Sequence, residues 1–364
     1  MSFLLKQVLL RPGAILDLDG PRLQQLIAQA RCSRLLASVA LSLEEEQLLE
    51  RIPPKAARHL QSALLVHEKQ KRDLVYDTAK IKQCLQAAGE RMVLLKGAAY
   101  LMADLPVGYG RLITDIDIIV PRDRIDLAEK NLLEHGWERG DLNSYNDQYY
   151  RKWGHEIPPL THSKRGTTLD VHHNILPPTA APNVNADLLF DRLIEISPGL
   201  FTLSWPDMVI HSATHLFHEG EFHHGLRDLW DLDRMLRDFP DRDSHFWQQL
   251  ISRAVELELT SSLSHALNYV QQLFNTPVPE DVNKELKNRA MLLRKPLMDF
   301  LFLRAFRPDY PPCRLPFTGL ALNLLYLRSH YLRMPIYLLL PHLARKAWMR
   351  RFEKDKGKAG QEQF

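Results

Sequence analysis

The sequence has few cysteines and no run of apolar residues long enough to cross a membrane. Its three cysteines stand far apart among 364 residues, without a CxxC pair. Neither a disulfide framework nor a cysteine zinc site is therefore expected, which indicates a reducing compartment. No run of about 18 apolar residues occurs, and the apolar run at the N-terminus is too short for a signal peptide. The sequence predicts a cytoplasmic protein without a transmembrane segment.

An excess of charge of one sign is also lacking. The chain carries 47 Lys and Arg against 44 Asp and Glu, a net charge of +3, so no global field favours nucleic acid. Residues 341–358 are the exception, because they hold seven Lys and Arg against two acidic residues, with Trp348 and Phe352 among them. An amphipathic helix of this kind suits an anionic membrane surface or an acidic partner. A solvated basic tail is the alternative.

Several common catalytic signatures are missing. The chain contains neither GxxxxGK[ST] nor GxSxG, and Gly108-Tyr109-Gly110 continues without the third glycine of a dinucleotide fingerprint. These absences argue against P-loop nucleotide hydrolases, α/β-hydrolases and Rossmann dehydrogenases.

Hydrophobic periodicity divides the chain into three parts. Helical spacing dominates residues 1–90. The part from 91 to 200 contains the candidates for strands, and the part from 201 to 364 is predicted to be mainly helical. The sequence therefore predicts an α+β fold, in which a small mixed-sheet core lies between N-terminal and C-terminal helical regions.

The strand candidates are two apolar runs, at 91–95 and 115–120, and a hairpin at 155–173. No strand is predicted beyond about residue 185. A helix is expected to begin near Ser204, which precedes Asp207 at capping-box spacing, and to continue to about His218.

Two carboxylates alternate with isoleucines in the second apolar run. Residues two apart in a strand point to the same side, so Asp115 and Asp117 share a face. Without compensation they repel each other, and each tends to hold its proton. A divalent cation such as Mg²⁺ removes this conflict, because it takes hard oxygen ligands. A solvated strand end is the alternative explanation of the pair.

Three ordered motifs surround this pair: Leu95-Lys96-Gly97, then Arg111-x-x-x-Asp115-Ile-Asp117-Ile, then Leu169-Asp170-Val171-His172. Together they resemble the nucleotidyltransferase superfamily typified by DNA polymerase beta. The particular form is similar to a bacterial subfamily labelled uncharacterised nucleotidyltransferase, and the resemblance extends over roughly residues 20–240.

The resemblance implies a metal site. It makes Asp115 and Asp117 ligands of two Mg²⁺ (or Mn²⁺) ions, and it makes Asp170 a ligand of the catalytic ion that also helps to deprotonate the acceptor hydroxyl. A nucleoside triphosphate would be the donor, while the acceptor stays unknown. Loss of one repelling carboxylate, as in Asp117→Asn, is expected to leave the metal-free fold equally or slightly more stable.

The resemblance also implies a triphosphate site. Gly97 would let backbone N–H groups at a helix start approach the phosphates, or else would only permit a tight turn. Lys96 and Arg111 are candidates for neutralising the triphosphate. The alternatives are a solvated Lys96 and an Arg111 paired with Asp115.

Other groups support different interpretations. His211, His215 and His218 share one helical face, which suits either a metal-dependent hydrolase or ordinary packing. His172 is expected on the same strand face as Asp170. It is either a residue that supports a metal ligand by a hydrogen bond or an ordinary strand residue. The alternative from another functional class is a scaffold or binding protein that has this fold but no catalytic activity. A further prediction concerns an acidic stripe that consists of Asp228, Asp231 and Asp233. Arginines are interleaved with these residues, so the stripe is expected to be a solvated helix face whose opposite charges pair with one another.

Overall fold

The computed structural model describes residues 3–87, 89–140, 151, 153–218, 220–286, 289–335 and 337, with the backbone alone for 289–292. The basic stretch at 341–358 lies outside the described residues.

The chain begins with a helical region. Its helices are α1 (Leu4–Leu10), α2 (Gly20–Cys32), α3 (Leu36–Glu45) and α4 (Pro54–Ala87). Asp19 caps α2, because its side chain accepts a hydrogen bond from the Arg22 N–H at 3.0 Å. The 34-residue α4 buries one apolar stripe and begins at Pro54, where the missing N–H costs nothing. The predicted N-terminal helical region is confirmed.

One mixed sheet of seven strands follows. Its strands are β1 (Met92–Leu95), β2 (Asp115–Ile119), β3 (Trp137–Arg139), β4 (Leu160–His162), β5 (Thr168–His172), β6 (Ile194–Ser197) and β7 (Leu200–Thr202). The spatial order is β3-β4-β5-β2-β1-β7-β6. Strand β2 pairs antiparallel with β1 and parallel with β5. The two strands with the acidic motifs are therefore neighbours in the middle of the sheet.

Two strands beyond residue 185 contradict the prediction that none occurs there. Strands β6 and β7 form an antiparallel hairpin around Gly199, whose φ is +72°. They have only four and three residues, so their alternation was too short to stand out from the surrounding sequence. They extend the sheet because β7 pairs in parallel with β1.

Two helices accompany these strands, and the predicted hairpin is present. Helix α5 (Lys96–Met102) follows β1, and α6 (Ile125–Glu134) follows β2. The predicted hairpin is formed by β4 and β5, which pair antiparallel. In the described part of the chain, an isolated β-bridge also joins Glu156 to His172 of β5.

A short helix, α7 (Asp187–Phe190), precedes β6, and further helices follow β7 in the described part of the chain. They are α8 (Trp205–His218), α9 (Gly225–Arg242), α10 (Phe246–Glu256), α11 (Thr260–Phe274), α12 (Glu280–Glu285), α13 (Arg289–Ala305) and α14 (Thr318–Arg333). The predicted capping interaction opens α8, since Ser204 Oγ accepts from the Asp207 N–H at 3.3 Å and donates to Asp207 Oδ2 at 2.8 Å. Aromatic rings pack at its other end, where Phe217 and Phe302 meet edge to face at 5.0 Å.

The architecture is α+β, with one mixed sheet and helical regions on both sides, as the sequence predicts. The division at residues 90 and 200 stays a prediction, and the sheet itself extends to Thr202. None of the helices in the described part of the chain combines the length and apolar character that a bilayer crossing requires.

Candidate active site

Strand register places the three acidic residues of the motifs on one face of the sheet. Asp117 of β2 lies directly beside Asp170 of β5, and Asp115 lies beside Thr168. Residues opposite each other on neighbouring strands point to the same side, as do residues two apart. Asp115, Asp117 and Asp170 therefore share a face, and His172 shares it with them.

Asp117 is the most buried of the three and is held by two partners. Its Oδ1 accepts hydrogen bonds from Lys96 Nζ at 2.7 Å and from His172 Nε2 at 3.0 Å. Burial alone would raise the pKa of Asp117, but the Lys96 ammonium and the His172 N–H outweigh it and hold this pKa well below its usual range. Burial likewise acts to lower the pKa of Lys96, and the Asp117 carboxylate raises it above the usual value. Both groups are charged at neutral pH.

Asp170 has the opposite environment. Its Oδ1 is buried and has no hydrogen-bond partner. Burial, followed by the negative charges of Asp117 and Glu156, raises the pKa of Asp170 to about 7. A buried carboxylate oxygen without a donor, next to other carboxylates, is an arrangement that a divalent cation stabilises. The residues on this face therefore fit a bound Mg²⁺.

The three carboxylates are not drawn tightly together. Among the described residues, they do not form a group with all ligand oxygens within 4.8 Å of one another. Asp117 is turned towards Lys96 and His172, while Asp115 accepts a hydrogen bond from Thr114 Oγ1 at 3.0 Å. Like charges without a cation between them are expected to separate in this way.

The Lys96–Gly97 turn connects β1 to α5. Lys96 adopts a left-handed backbone conformation with φ of +47°, whereas Gly97 has no positive φ. A Cβ on Gly97 would meet the side chains of Ile113 and Arg111 at 3.7 and 3.8 Å, which are ordinary contacts. Gly97 is therefore not needed for a left-handed turn, and the position that a side chain would occupy there faces other protein atoms.

Arg111 makes its contacts with the C-terminal helical region. Its Nε donates to Asp231 at 2.7 Å, its Nη1 donates to the Leu112 carbonyl at 3.1 Å, and its Nη2 lies 3.6 Å from Asp228. These contacts fasten the segment before β2 to α9. A contact between Arg111 and phosphate stays a prediction.

The prediction of a solvated acidic stripe on α9 is wrong. Asp231 and Asp233 are 4% and 1% exposed. Asp233 accepts hydrogen bonds from Arg237 at 2.9 Å and from Thr276 at 2.6 Å. The predicted pairing within α9 is present between Asp233 and Arg237, but the stripe is buried because Arg111 and Thr276 also reach it from distant segments.

The histidine face of α8 borders the site. Burial first, and then the charge of Lys96, lower the pKa of His211 to about 3. For His215 the Lys96 charge is the largest cause and lowers the pKa well below its usual value. Both are therefore neutral imidazoles near Lys96 and Asp117. His218 points elsewhere, since its Nδ1 donates to the Thr214 carbonyl at 3.1 Å.

A histidine and a glutamate that the sequence analysis did not select also reach this site. Glu156 Oε2 lies 3.2 Å from His172 Nδ1, and the rings of His155 and His172 have centroids 5.5 Å apart. Both residues precede β4, and the bridge between Glu156 and His172 brings them to β5. The predicted hairpin was the one signal for this proximity, since His155 and His172 occupy opposite arms.

Comparisons with known proteins agree with these motifs. No curated protein and no solved structure matches the chain significantly. The sequence model of a family described as uncharacterised nucleotidyltransferase matches residues 19–275, which is well over half of the chain and includes the whole sheet. The chain therefore belongs to this nucleotidyltransferase family.

Proposed function

We propose that the protein transfers a nucleoside monophosphate from a nucleoside triphosphate to a hydroxyl acceptor, with Mg²⁺ or Mn²⁺ held by Asp115, Asp117 and Asp170. The observation that carries this proposal is the buried Asp170 Oδ1 without a partner, directly beside Asp117 in the register of β2 and β5. Bound metal would supply positive charge to the triphosphate and to the attacking oxygen.

The residues of the chain have distinct tasks in this reaction. The acceptor oxygen attacks the α-phosphorus, the bond from that phosphorus to the bridging oxygen breaks, and pyrophosphate leaves. Asp170 is the residue proposed to take the hydroxyl proton, because its buried Oδ1 has no hydrogen-bond partner of its own. Lys96 keeps Asp117 ionised and, at 21% side-chain exposure, is accessible to a triphosphate oxygen.

A screen of the four nucleoside triphosphates tests the activity. Each is incubated with the protein, a cell extract as the source of acceptor, and Mg²⁺ or Mn²⁺, and pyrophosphate release is measured. We expect release that depends on metal and on one preferred nucleotide. No release above the extract alone, in any of the combinations, would favour the silent scaffold.

Gly97 is proposed to contribute through its backbone N–H and not through its missing side chain. The Gly97→Ala variant is therefore expected to bind a non-hydrolysable triphosphate with unchanged affinity. It should also be more stable by up to about 1 kcal/mol, because alanine favours a helix over glycine and the added Cβ makes contacts of 3.7–3.8 Å. Calorimetric titration and a urea melt measure the two effects. A clearly weaker affinity in the folded variant would show that the ligand needs the space at Gly97.

We also propose that the protein docks on an anionic membrane surface through α14 and the basic stretch. Helix α14 exposes apolar side chains at a spacing of four, three and four residues, which places them on one face: Leu320, Leu324, Leu327 and Tyr331. Residues 341–358, with seven basic and two acidic residues, follow closely in the sequence. An apolar face that is followed in the sequence by a basic segment matches a surface with acyl chains and anionic headgroups.

Sedimentation with vesicles tests this docking. The full chain is expected to bind vesicles that contain phosphatidylserine, more weakly at high salt, and to bind neutral phosphatidylcholine vesicles poorly. Leu327→Glu should reduce binding at least about tenfold, because it places a charge in the apolar layer. Val255→Glu on α10 is the matched control, since Val255 is 61% exposed and lies outside this face. Equal binding by both variants, or none by the wild type, would contradict the proposal and leave an acidic protein as the candidate partner.

A further inference from the structure

A second group of metal-ligand side chains lies beside the three carboxylates. His155, Glu156 and His172 each offer one ligand atom, and these atoms all lie within 4.8 Å of one another. In the part of the chain that the structure describes, this is the single group of three His, Cys, Asp or Glu residues that meets this distance. We propose that these three residues form a separate site for a divalent transition metal, with Zn²⁺ as its probe. The proposal does not depend on nucleotidyl transfer.

The donor atoms select a different metal from Mg²⁺. Two imidazoles and one carboxylate suit Zn²⁺ and other first-row transition metals, whereas Mg²⁺ prefers oxygen ligands alone. Ligand atoms around a tetrahedral Zn²⁺ at about 2.0–2.1 Å lie about 3.4 Å apart. Glu156 Oε2 and His172 Nδ1 are already 3.2 Å apart. The His155 ligand atom lies within 4.8 Å of the other two, so a side-chain rotation that brings it closer by at most about 1.4 Å completes the set.

The second ring nitrogen of His172 supports the same assignment. Its Nε2–H donates to Asp117 Oδ1 at 3.0 Å. Metal-binding histidines usually donate their other N–H to a carboxylate or carbonyl, which fixes the tautomer and directs the free lone pair at the metal. Nδ1, the other ring nitrogen of His172, faces the Glu156 carboxylate oxygen at 3.2 Å. Two lone pairs at this distance require a cation or a proton between them.

Charge and access also suit a cation. Four carboxylates lie on or beside this face, namely those of Asp115, Asp117, Glu156 and Asp170, and Lys96 balances one of them. His172 is buried, while His155 and Glu156 are half-buried, so the side of the site that faces solvent can hold a water. Three protein ligands and one open position are typical of an accessible zinc site.

A metal bound at this site would affect the position of Asp117 through His172. A metal bound to Nδ1 keeps the imidazole in one orientation and one tautomer. The hydrogen bond from His172 Nε2 to Asp117 would then be fixed as well. We therefore assign His172 as a positioning residue that connects the two sites.

Calorimetric titration of the metal-free full chain with Zn²⁺, in excess Mg²⁺, tests the proposal without any measurement of activity. The excess Mg²⁺ occupies oxygen sites, and Co²⁺ absorption spectra report nitrogen ligation. We expect one tight equivalent of Zn²⁺, weakened at least about tenfold by His155→Ala and by the isosteric Glu156→Gln. Circular dichroism checks that both variants fold.

The matched control is an adjacent Glu–His pair at the C-terminal end of α6. Glu134→Gln and His135→Ala change the same residue types, and His135 Nδ1 donates to the Asn131 carbonyl at 2.7 Å instead of joining a cluster. These two variants should bind Zn²⁺ like the wild type. The proposal is overturned if the wild type binds no Zn²⁺ tightly. It is also overturned if His155→Ala and Glu156→Gln bind Zn²⁺ with unchanged affinity, because the metal would then be held elsewhere. Either result leaves the proposed nucleotidyl transfer untouched.

Discussion

Asp117→Asn is expected to lower the free energy of unfolding in EDTA by about 2–4 kcal/mol, because it leaves the Lys96 ammonium without its carboxylate. Lys96 Nζ donates to Asp117 Oδ1 at 2.7 Å, and the Asp117 side chain is only 6% exposed. Loss of one partner of a buried pair typically costs about 3–5 kcal/mol. The value expected here is smaller because Lys96 keeps 21% exposure and can turn towards water.

A double-mutant cycle separates this pair from other effects. Lys96→Met together with Asp117→Asn removes both charges, so most of the lost stability should return. Urea unfolding of the four proteins at pH 7 gives the coupling energy. This expectation reverses the one from the sequence, which treated Asp117 only as a repelling carboxylate. Equal stability of Asp117→Asn and the wild type would show that the pair contributes nothing to the fold.

Asp170→Asn is expected to abolish nucleotidyl transfer and yet to stabilise the metal-free fold at high pH. The variant loses the oxygen proposed to take the acceptor proton and to hold metal. It also removes a buried charge with an unpaired oxygen. Burial of such a group typically costs about 1–3 kcal/mol or more of stability. Activity and stability should therefore change in opposite directions.

The pH dependence of this stabilisation follows from the pKa of Asp170. In the fold this pKa is raised from 3.8 to about 7, so the native state binds the proton more tightly than the unfolded chain does. The wild type consequently loses stability as the pH rises from about 4 to about 7, and the loss is complete above that range. Asparagine does not titrate, so Asp170→Asn should melt higher than the wild type at pH 8 and at a similar temperature at pH 4. A lower melting temperature of the variant at pH 8 in EDTA would contradict this assignment.

The sequence could predict the parts of the site that depend on local pattern. Alternation within Asp115–Ile119 places two carboxylates on one face, and the motif around Asp170 marks a second acidic strand. The apolar runs locate β1 and β2, the hairpin pattern locates β4 and β5, and the capping residues at Ser204 locate the start of α8. Each of these signals lies within a few residues of the feature that it predicts.

The remaining parts depend on pairing between distant segments, which spacing does not encode. Lys96 meets Asp117 because β1 and β2 pair antiparallel, and Glu156 reaches His172 through one bridge outside the regular strands. Arg111 turns to Asp231 because α9 packs against the segment before β2. The short β6 and β7 were missed because their stability comes from pairing at the sheet edge and not from their own sequence.

The fate of labelled phosphate is the most direct test of the proposed reaction. Triphosphate labelled at the α-phosphate or at the γ-phosphate is incubated with protein, Mg²⁺ and cell extract, with Asp170→Asn as the comparison. The account predicts that the α label becomes attached to an acceptor while the γ label leaves in pyrophosphate, and that both changes are lost in Asp170→Asn. Transfer of the γ label to the acceptor, or equal transfer by wild type and Asp170→Asn, would contradict nucleotidyl transfer at these carboxylates.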